Sequence, residues 1–456
     1  MKLRFIGLLT AMMLVVVACG GGGATTAPTG TAAPSGSAAP TDAAPTDAEP
    51  TDGEPTDGEP TDGEPTDGEP TDGGGDLGTR EIPDGEPIHL VFWGVLSGGD
   101  ASLGIDSQRG VELAIADRPE ILGHEVELTS EDGQCTPEGG NTAATRIAAD
   151  VTVVGLIGSS CSDETVGGIE AITNAGLTTI SPSNTRPALT APDRDATYAG
   201  YLRTAHNDEF QGAKAAEFVY DSLGLTTAAT IHDGTSYAQA LQQVFADAFT
   251  ELGGTITIQE AVGAEDTDMG PVLTTVAETE PQAIYYPVFS GPFGYITAQA
   301  ADTPGLEDVA LIAADGSFNA SAVEAGGPNA AGAYLSSPDS RQFPGDYAGF
   351  LEKHTAAYNE NPLSVFHAHA YDATNMMLDA IEAVAVENDD GSLSIPLGAL
   401  REAIYATSGF QGITGELTCN EFGDCGSPAI GVYEITQEIV DDPAGNWPPQ
   451  PIWPEL

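Results

Sequence analysis

The chain has 456 residues with 13 basic and 69 acidic side chains, which gives a formal net charge of −56 with neutral histidines. Nucleic acids and anionic lipid surfaces are bound through lysine and arginine, so this balance excludes them as partners. The length is sufficient for two or more domains once non-globular segments are set aside.

Residues 1–18 have the pattern of a secretory signal, because Lys2 and Arg4 precede an apolar run too short to span a bilayer comfortably. The segment VVAC, which ends at Cys19, resembles a bacterial lipobox. This resemblance implies cleavage before Cys19 and a lipid on its sulfur; the alternative is an ordinary signal peptide with an unrelated cysteine. We therefore expect an extracytoplasmic protein, lipid-anchored to the outer face of the bacterial cell membrane or periplasmic.

Residues 19–86 are predicted to comprise the lipidated cysteine and a disordered acidic tether built on PTDGE repeats. Low hydrophobicity, one sign of charge and a proline in every repeat favour an extended chain without fixed structure. The expected role is a spacer between the membrane and the folded part. A wall-binding or glycosylated stalk is the alternative, because threonine stands beside proline in each repeat.

Four further cysteines lie in the remainder of the chain. They are Cys135, Cys161, Cys419 and Cys425. An even number in an exported protein indicates disulfides, and the sequence alone allows three connectivities. A zinc site is not expected, since no pair has the short CxxC spacing and no histidine lies within a few residues.

From residue 86 the composition becomes globular, and apolar runs of strand length alternate with segments of helix length. The strands predicted for this first half are Ile88–Trp93, Glu125–Glu131, Val151–Ile157 and Leu177–Ile180, with helices over Gln108–Asp117 and Glu138–Ala149. Repeating strand–loop–helix units of this length predict a doubly wound, mostly parallel sheet.

Two polar loops follow two of these strands. Gly158–Ser162 precedes a helix that Ser162 or Asp163 can cap, and Ser181–Thr185 follows the next strand. In an open α/β sheet, ligands bind at the carboxyl ends of the strands. Because backbone N–H groups and hydroxyls favour a small anion such as a carboxylate, we predict the anion half of a small-molecule site here.

After Thr190 the pattern restarts as a second α/β lobe. Its predicted strands are Ala228–Asp233, Thr255–Ala261, Ala283–Phe289 and Val309–Ala314, and its helices Glu209–Leu223, Ala238–Leu252, Pro271–Thr279 and Phe293–Ala301. From Arg341 the chain is mostly helical and ends with a strand over Ala429–Ile435.

The carboxyl ends of the second-lobe strands carry one acid, Asp315, and two aromatics, Tyr237 and Phe289. Two α/β lobes that face each other through their strand ends indicate a clamshell. An anion site on one side and an acid on the other match the carboxylate and ammonium of an α-amino acid.

Together these residues resemble a known family, the substrate-binding proteins of branched-chain amino acid ABC transporters, over residues 88–437. This is the leucine/isoleucine/valine-binding family of the type I periplasmic binding fold. The resemblance is carried by the order and spacing of Gly94–Gly98, Glu131–Pro137, Ile157–Ser162, Ile180–Thr190, Ile231–Asp233 with Tyr237, and Ile284–Tyr286.

The resemblance implies the domain organisation and the disulfides. The first lobe would comprise residues 87–206 and 339–415, and the second lobe residues 207–338 and 416–456. Cys135 and Cys161 match the family's disulfide, which leaves Cys419 and Cys425 as the second pair.

The resemblance also implies the residues that hold the ligand. Ser162 would bind the ligand carboxylate, and Ser183 and Thr185 would contribute groups to the carboxylate and the ammonium. Tyr237 would close over the ligand from the second lobe. Asp315 stands where the family carries a glutamate that pairs with the ammonium.

Three further residues, Leu103, Phe289 and Phe366, occupy side-chain pocket positions where the family often has Trp or Tyr. The function implied is a monomeric solute-binding lipoprotein of an ABC importer, with a permease as partner and no metal, cofactor or catalysis. Alternatives are a same-fold binding protein for an amide, urea or small organic acid, and a sensor for a membrane receptor. An extracellular amidohydrolase is disfavoured because no nucleophile–base or metal constellation occurs.

Overall fold

The computed structural model of the protein describes residues 77–456. The predicted signal peptide, the predicted lipidation site Cys19 and most of the predicted tether lie outside these residues. Residues 77–456 belong to one compact unit. No helix between residues 77 and 456 is long and apolar enough to cross a bilayer.

Residues 77–456 form 18 strands, numbered here in chain order. Strands β1 to β18 are Thr79–Ile82, Ile88–Gly94, Glu120–Ile121, His124–Asp132, Val153–Gly158, Thr179–Ser181, Tyr201–Arg203, Thr227–His232, Thr255–Ala261, Ala283–Tyr285, Ala310–Ala313, Tyr334–Pro338, Val386–Glu387, Leu393–Pro396, Phe410–Gln411, Glu416–Leu417, Ile430–Glu434 and Pro451–Trp453.

The same residues form 13 α-helices. Helices α1 to α13 are Ala101–Asp117, Pro137–Ala149, Ser162–Asn174, Asp208–Glu217, Ser236–Glu251, Gly270–Ala277, Ser290–Ala300, Ala320–Gly326, Tyr347–Tyr358, His367–Val384, Leu397–Tyr405, Gln437–Asp441 and Pro443–Asn446.

The first lobe is built on a six-stranded sheet with the order β3-β4-β2-β5-β6-β7, parallel except for the β3–β4 pair. Strand β5 is buried along its whole length, which explains its unbroken apolar sequence. Helix α1 packs against α10, and α2 packs against α3. The parallel order brings the loops after β5 and β6 to the same edge of the sheet.

The second lobe is built on a seven-stranded sheet with the order β18-β17-β12-β11-β10-β8-β9. Strands β8 to β12 run parallel, whereas β17 and β18 are antiparallel additions at one edge. A hydrophobic cluster joins the lobes through Leu103 and Cys161 on one side and Tyr237 and Phe289 on the other. The predicted two-lobed α/β architecture is confirmed.

The structure corrects two predicted boundaries. Strand β1 pairs with β14, Thr79 opposite Pro396, so the predicted tether ends before residue 79 rather than at residue 86. Leu417 and Cys425 pack in the first-lobe core, so the chain passes to the second lobe after residue 425 rather than at 416. Both boundaries were misplaced because contacts between segments far apart in the chain leave no local pattern in the sequence. The other lobe boundaries stay predictions.

Candidate functional site

All of the predicted ligand-binding residues except Thr185 line one cleft between the lobes. The cleft is lined by Leu103, Ser160, Cys161, Ser162, Ser183, Tyr237, Phe289, Asp315, Gly316 and Phe366. Sequence reasoning did not name Ser160, Cys161 or Gly316 as site residues. The first two lie in the loop after β5, so the strand-end rule could have found them.

The cleft is closed in this structure. Its empty volume is about 260 Å³, of which only about 10 Å³ is open to the centre of a water molecule. That is room for about one buried water. A ligand therefore has to enter through a hinge opening of the two lobes.

The first wall of the cleft is the start of helix α3, and its cap differs from the prediction. Neither Ser162 nor Asp163 is the N-cap; Cys161 holds that position. The side chain of Glu164 turns back and accepts hydrogen bonds from the N–H groups of Ser160 at 2.9 Å and Cys161 at 3.0 Å. Glu164 is the N3 residue of α3, and its side chain reaches back to the N-cap N–H as the acid of a capping box does.

The carboxyl group of Glu164 also joins two loops. Its Oε1 accepts from Cys135 N at 2.9 Å, and the Cys135–Cys161 disulfide connects the same loops. Glu164 is fully buried, and burial raises its pKa to about 7 although the three N–H groups favour the charged form. Gly133 is required beside it, because a Cβ there would lie 2.6 Å from Oε1.

The hydroxyls of the first wall have different hydrogen-bonding capacities. Ser183 Oγ donates its proton to Ser160 O at 2.9 Å, so it can offer only lone pairs to a ligand. Within residues 77–456, neither the N–H nor the hydroxyl of Ser162 has a hydrogen-bond partner. Ser160 Oγ is buried and has no partner in the described part of the chain. Ser162 therefore has an N–H and a hydroxyl that are able to donate to a carboxylate.

Thr185 lies behind the first wall rather than in it. It is buried, and its carbonyl accepts a hydrogen bond from Asp208 N, the first residue of α4, at 3.0 Å. This contact anchors α4 to the loop after β6. The direct role of Thr185 in ligand binding stays a prediction.

The second wall carries the acid Asp315, which is 4% exposed. Its Oδ1 accepts from the Tyr237 hydroxyl at 2.6 Å and from Gln211 Nε2 at 3.1 Å. Within residues 77–456 its Oδ2 accepts no hydrogen bond, and His206 Nε2 lies 4.0 Å from it. This second oxygen is therefore able to accept a hydrogen bond from a ligand.

Among the described residues, the groups that contact Asp315 from behind are Gln211 and His206, and neither is a lysine or an arginine. Gln211 donates to Asp315 and to Ser336 O, so its Oε1 accepts from His206 Nε2 at 2.5 Å. Burial lowers the pKa of His206, which favours the neutral imidazole with its proton on Nε2. Burial and the charge of Asp315 raise the pKa of Asp208, which favours its protonated form.

The remaining lining of the cleft is apolar. Leu103, Phe289 and Phe366 contribute side chains, and the rings of Phe289 and Tyr237 lie 5.4 Å apart. Among residues 77–456, no lysine or arginine lines the cleft. The arrangement thus places a carboxylate on one wall, uncharged donors on the other and an apolar surface between them.

Two carboxylates of the first lobe contact helix starts in the second lobe. Asp100 occupies the N-cap position of α1, but its side chain accepts no hydrogen bond from that helix. Its Oδ1 accepts instead from the N–H of Ser290, the first residue of α7, at 3.1 Å. Asp163 accepts from Ser236 N, the first residue of α5, at 3.2 and 3.3 Å. Because a helix N-terminus carries partial positive charge, these contacts favour the closed lobes.

The second disulfide, Cys419–Cys425, closes a short loop next to the first lobe. Asp424 in this loop pairs at 2.9 Å with Arg203, which is completely buried. The disulfide therefore holds the counter-ion of a buried guanidinium, which would be costly to leave unpaired.

Comparison with known proteins identifies relatives of this chain. A sequence model of the family described as "Periplasmic binding protein" matches residues 87–426. The chain is 27% identical to the Leu/Ile/Val-binding protein homolog 1 of Brucella suis over 343 residues, which cover 74% of this chain and 88% of that protein. It is 24% identical to the Leu/Ile/Val-binding protein of Escherichia coli over 353 residues, 76% of this chain and 91% of that protein.

Solved structures share the fold. A leucine-binding protein from Thermotoga maritima has a TM-score of 0.69 and 24% identity, covering 77% of this chain and 96% of its own. A second structure is a branched-chain amino acid transporter substrate-binding protein from Streptococcus pneumoniae in complex with isoleucine. It has a TM-score of 0.65 and 25% identity, and the match covers 77% of this chain and 96% of that protein. An ABC transporter solute-binding protein from R. palustris, in complex with benzoate, has a TM-score of 0.66 and 19% identity over 77% and 94%.

The family model matches most of the globular part of the chain, and the solved relatives share its overall fold. The chain therefore belongs to the periplasmic binding protein family and has the type I fold of its Leu/Ile/Val-binding relatives.

Proposed function

We propose that the protein is the extracytoplasmic solute-binding component of an ABC importer and that it binds a small α-amino acid in the cleft. The observation that carries this proposal is Asp315 Oδ2, a buried carboxylate oxygen with no cationic side chain in the cleft lining. A ligand ammonium would pair with it, and the ligand carboxylate would accept from the N–H and hydroxyl of Ser162. Ser183 Oγ would accept a second ammonium hydrogen.

These contacts are sufficient for tight binding. Each charge-assisted hydrogen bond in a dry cleft contributes roughly 1.5–3 kcal/mol. A micromolar dissociation constant corresponds to about −8 kcal/mol, which a few such bonds exceed before the cost of closure is subtracted. Leu103, Phe289 and Phe366 would contact an apolar side chain of the ligand.

The names of the relatives support an amino acid, and the charges argue against the main alternative. One related structure holds isoleucine and another holds benzoate. An organic anion without an ammonium would place a second negative charge beside Asp315, and no cation in the lining would compensate it. A zwitterion avoids this repulsion. We accordingly expect binding without chemical turnover.

A thermal-shift screen of the purified full-length chain tests the ligand class. The panel contains amino acids, amides, urea and small organic acids, because a ligand of the native state raises the melting temperature by mass action. Shifts with amino acids alone would agree with the proposal. Shifts confined to ligands without an ammonium would keep the binding fold and overturn the amino-acid assignment.

The proposal includes a lipid anchor on Cys19, a membrane permease as partner and a monomeric state. Cys19→Ser should release the exported protein from the membrane fraction into the soluble fraction, because one diacylglycerol group supplies two buried chains. Retention of the variant in the membrane would contradict the anchor. A permease gene beside the gene for this chain would distinguish import from a sensor role.

A further inference from the structure

A second cavity, which we name the flank cavity, shares no lining residue with the cleft. The space in it that is open to the centres of water molecules is about 460 Å³, against about 10 Å³ in the cleft. Small-molecule sites in proteins span roughly 300–1,000 Å³. The flank cavity is therefore large enough for a small organic ligand while the cleft is closed.

Two aromatic clusters, one from each lobe, line the flank cavity. On the first-lobe side, the rings of Phe343 and Tyr347 are perpendicular and 5.5 Å apart. On the second-lobe side, Phe318 contacts Tyr433 and Trp447, each at 4.8 Å. Among the described residues, no ring contact joins one cluster to the other. The cavity is the gap between them.

The lining of the flank cavity is apolar or polar and includes one histidine, His367. Among the residues that the structure describes, no Asp, Glu, Lys or Arg lines it, although 69 of the 456 residues of the chain are acidic. Prolines occupy much of the remaining lining, among them Pro338, Pro362 and Pro448. Because an unpaired charge is costly to bury, this surface suits an uncharged molecule.

Polar groups are present at one side of the flank cavity. The Tyr347 hydroxyl lies 2.8 Å from His367 Nε2, and His367 Nδ1 lies 2.8 Å from Oδ2 of the buried Asp106. This series of hydrogen bonds fixes the Tyr347 ring against the first lobe. The hydroxyl of Ser340 and the amide of Asn361 belong to residues that also line the cavity. A ligand with a hydroxyl or amide group would find partners among them.

The flank cavity also borders a segment that passes from one lobe to the other. Pro338 ends strand β12 of the second lobe, and both Pro338 and Ser340 line the cavity. The chain then continues to Phe343 and helix α9. An occupant would therefore contact both lobes beside a hinge segment.

From these observations we propose that the flank cavity is a second ligand site, for an uncharged molecule that carries an aromatic ring and a hydroxyl or amide group. Its ring inserts between the two aromatic clusters, where edge and face contacts are available on both sides. This site is independent of the amino-acid site proposed for the cleft.

The probe for this proposal is 4-fluorobenzyl alcohol, observed by ¹⁹F NMR with the purified full-length chain. We expect saturable binding that is lost in Leu351→Trp, which places an indole in the cavity from helix α9. 4-Fluorobenzoate serves as the charged counterpart and should not be sensitive to Leu351→Trp. No saturable binding of the alcohol to the wild type, or equal binding in the variant, would overturn the site.

A milder pair of variants keeps the test decisive if Leu351→Trp does not fold. Phe343→Leu removes one ring but keeps an apolar side chain, and should weaken binding of the alcohol by about 3- to 10-fold. Phe210→Leu is the matched control, a half-buried phenylalanine outside the flank cavity. Equal affinities in these two variants would refute the insertion of a ring between the clusters.

Discussion

The two walls of the cleft are built in different ways. The first wall presents the main chain and short hydroxyls of Ser160 and Ser162, and the fully buried Glu164 and a disulfide hold it in place. The second wall depends on one side chain, Asp315, which Tyr237 and Gln211 orient. The first wall supplies donors without charge, whereas the second supplies a charge without a counter-ion.

This difference indicates where each wall can fail. Removing one hydroxyl from the first wall leaves the helix N–H groups in place, so the loss should be small. Changing Glu164, the buried acid behind this wall, should change the stability of the folded state. Removing the acid of the second wall should remove selectivity for an ammonium but leave the fold.

Glu164→Gln tests the support of the first wall and should have the largest effect. In the folded state the pKa of Glu164 is about 7, above the ordinary value of 4.5. Protonation of Glu164 therefore stabilises the folded state fully below pH 4.5, and this contribution is lost as the pH rises through 7. The wild type should lose about 3 kcal/mol of unfolding free energy across this window through this group. In Glu164→Gln the unfolding free energy should lack this decrease with pH.

Denaturant unfolding at half-unit intervals from pH 4.5 to 8 measures the slope. Glu170→Gln, an exposed acid on the same helix, is the matched control and should keep the wild-type slope. Parallel stability curves for the wild type and Glu164→Gln would contradict the assignment.

Asp315→Asn tests the second wall. It keeps the size of the side chain but removes the charge, so affinity for an amino acid should fall by about 100-fold, the equivalent of two tenfold losses at 1.4 kcal/mol each. A ligand without an ammonium should lose far less. Isothermal titration calorimetry measures both, with Asp372→Asn as a buried aspartate remote from the cleft lining. Equal losses for both ligands would remove Asp315 from its proposed role.

The pair Asp100→Asn and Asp163→Asn tests how the walls are brought together. Each change keeps an oxygen acceptor but removes the charge that faces a helix start in the other lobe. The double variant should bind the cleft ligand about 10-fold more weakly, because two partly exposed contacts of the closed form are weakened.

Small-angle X-ray scattering without ligand should show a larger radius of gyration for this double variant than for the wild type. Asp150→Asn is the control, since the Asp150 side chain accepts from Thr152 and lies 3.9 Å from His89 Nδ1, both residues of the first lobe. An unchanged radius together with unchanged affinity would show that these carboxylates do not hold the lobes closed.

Ser162→Ala should have the smallest effect. The variant loses one hydroxyl but keeps the N–H group at the start of α3, so affinity for an amino acid should fall by about 5-fold. Calorimetry against Ser222→Ala, an exposed serine outside the cleft, measures the difference. A loss as large as that of Asp315→Asn would mean that the two walls contribute equally.

The two walls also differ in how far the sequence predicted them. Ser162, Asp315 and Tyr237 were found because strand ends and family spacing point to them, and the structure places all three in the cleft lining. Thr185 lies behind the wall, because the loop after β6 directs its carbonyl to α4. The role of Glu164 in the cap was missed, because a glutamate early in a helix has the same local pattern whether it is exposed or buried.

The sequence by itself determined the alternation of strands and helices, the two α/β lobes and the polar loops at their strand ends, because hydrophobic periodicity and turn residues act over short distances. Only the tertiary structure decided which carboxylates are buried together, which acids form hydrogen bonds with the other lobe and which strand pairs with β1. These outcomes depend on contacts between residues far apart in the chain, such as Asp100 with Ser290 and Thr79 with Pro396. Local propensity carries no information about such pairs, because burial and charge pairing are properties of the packed fold.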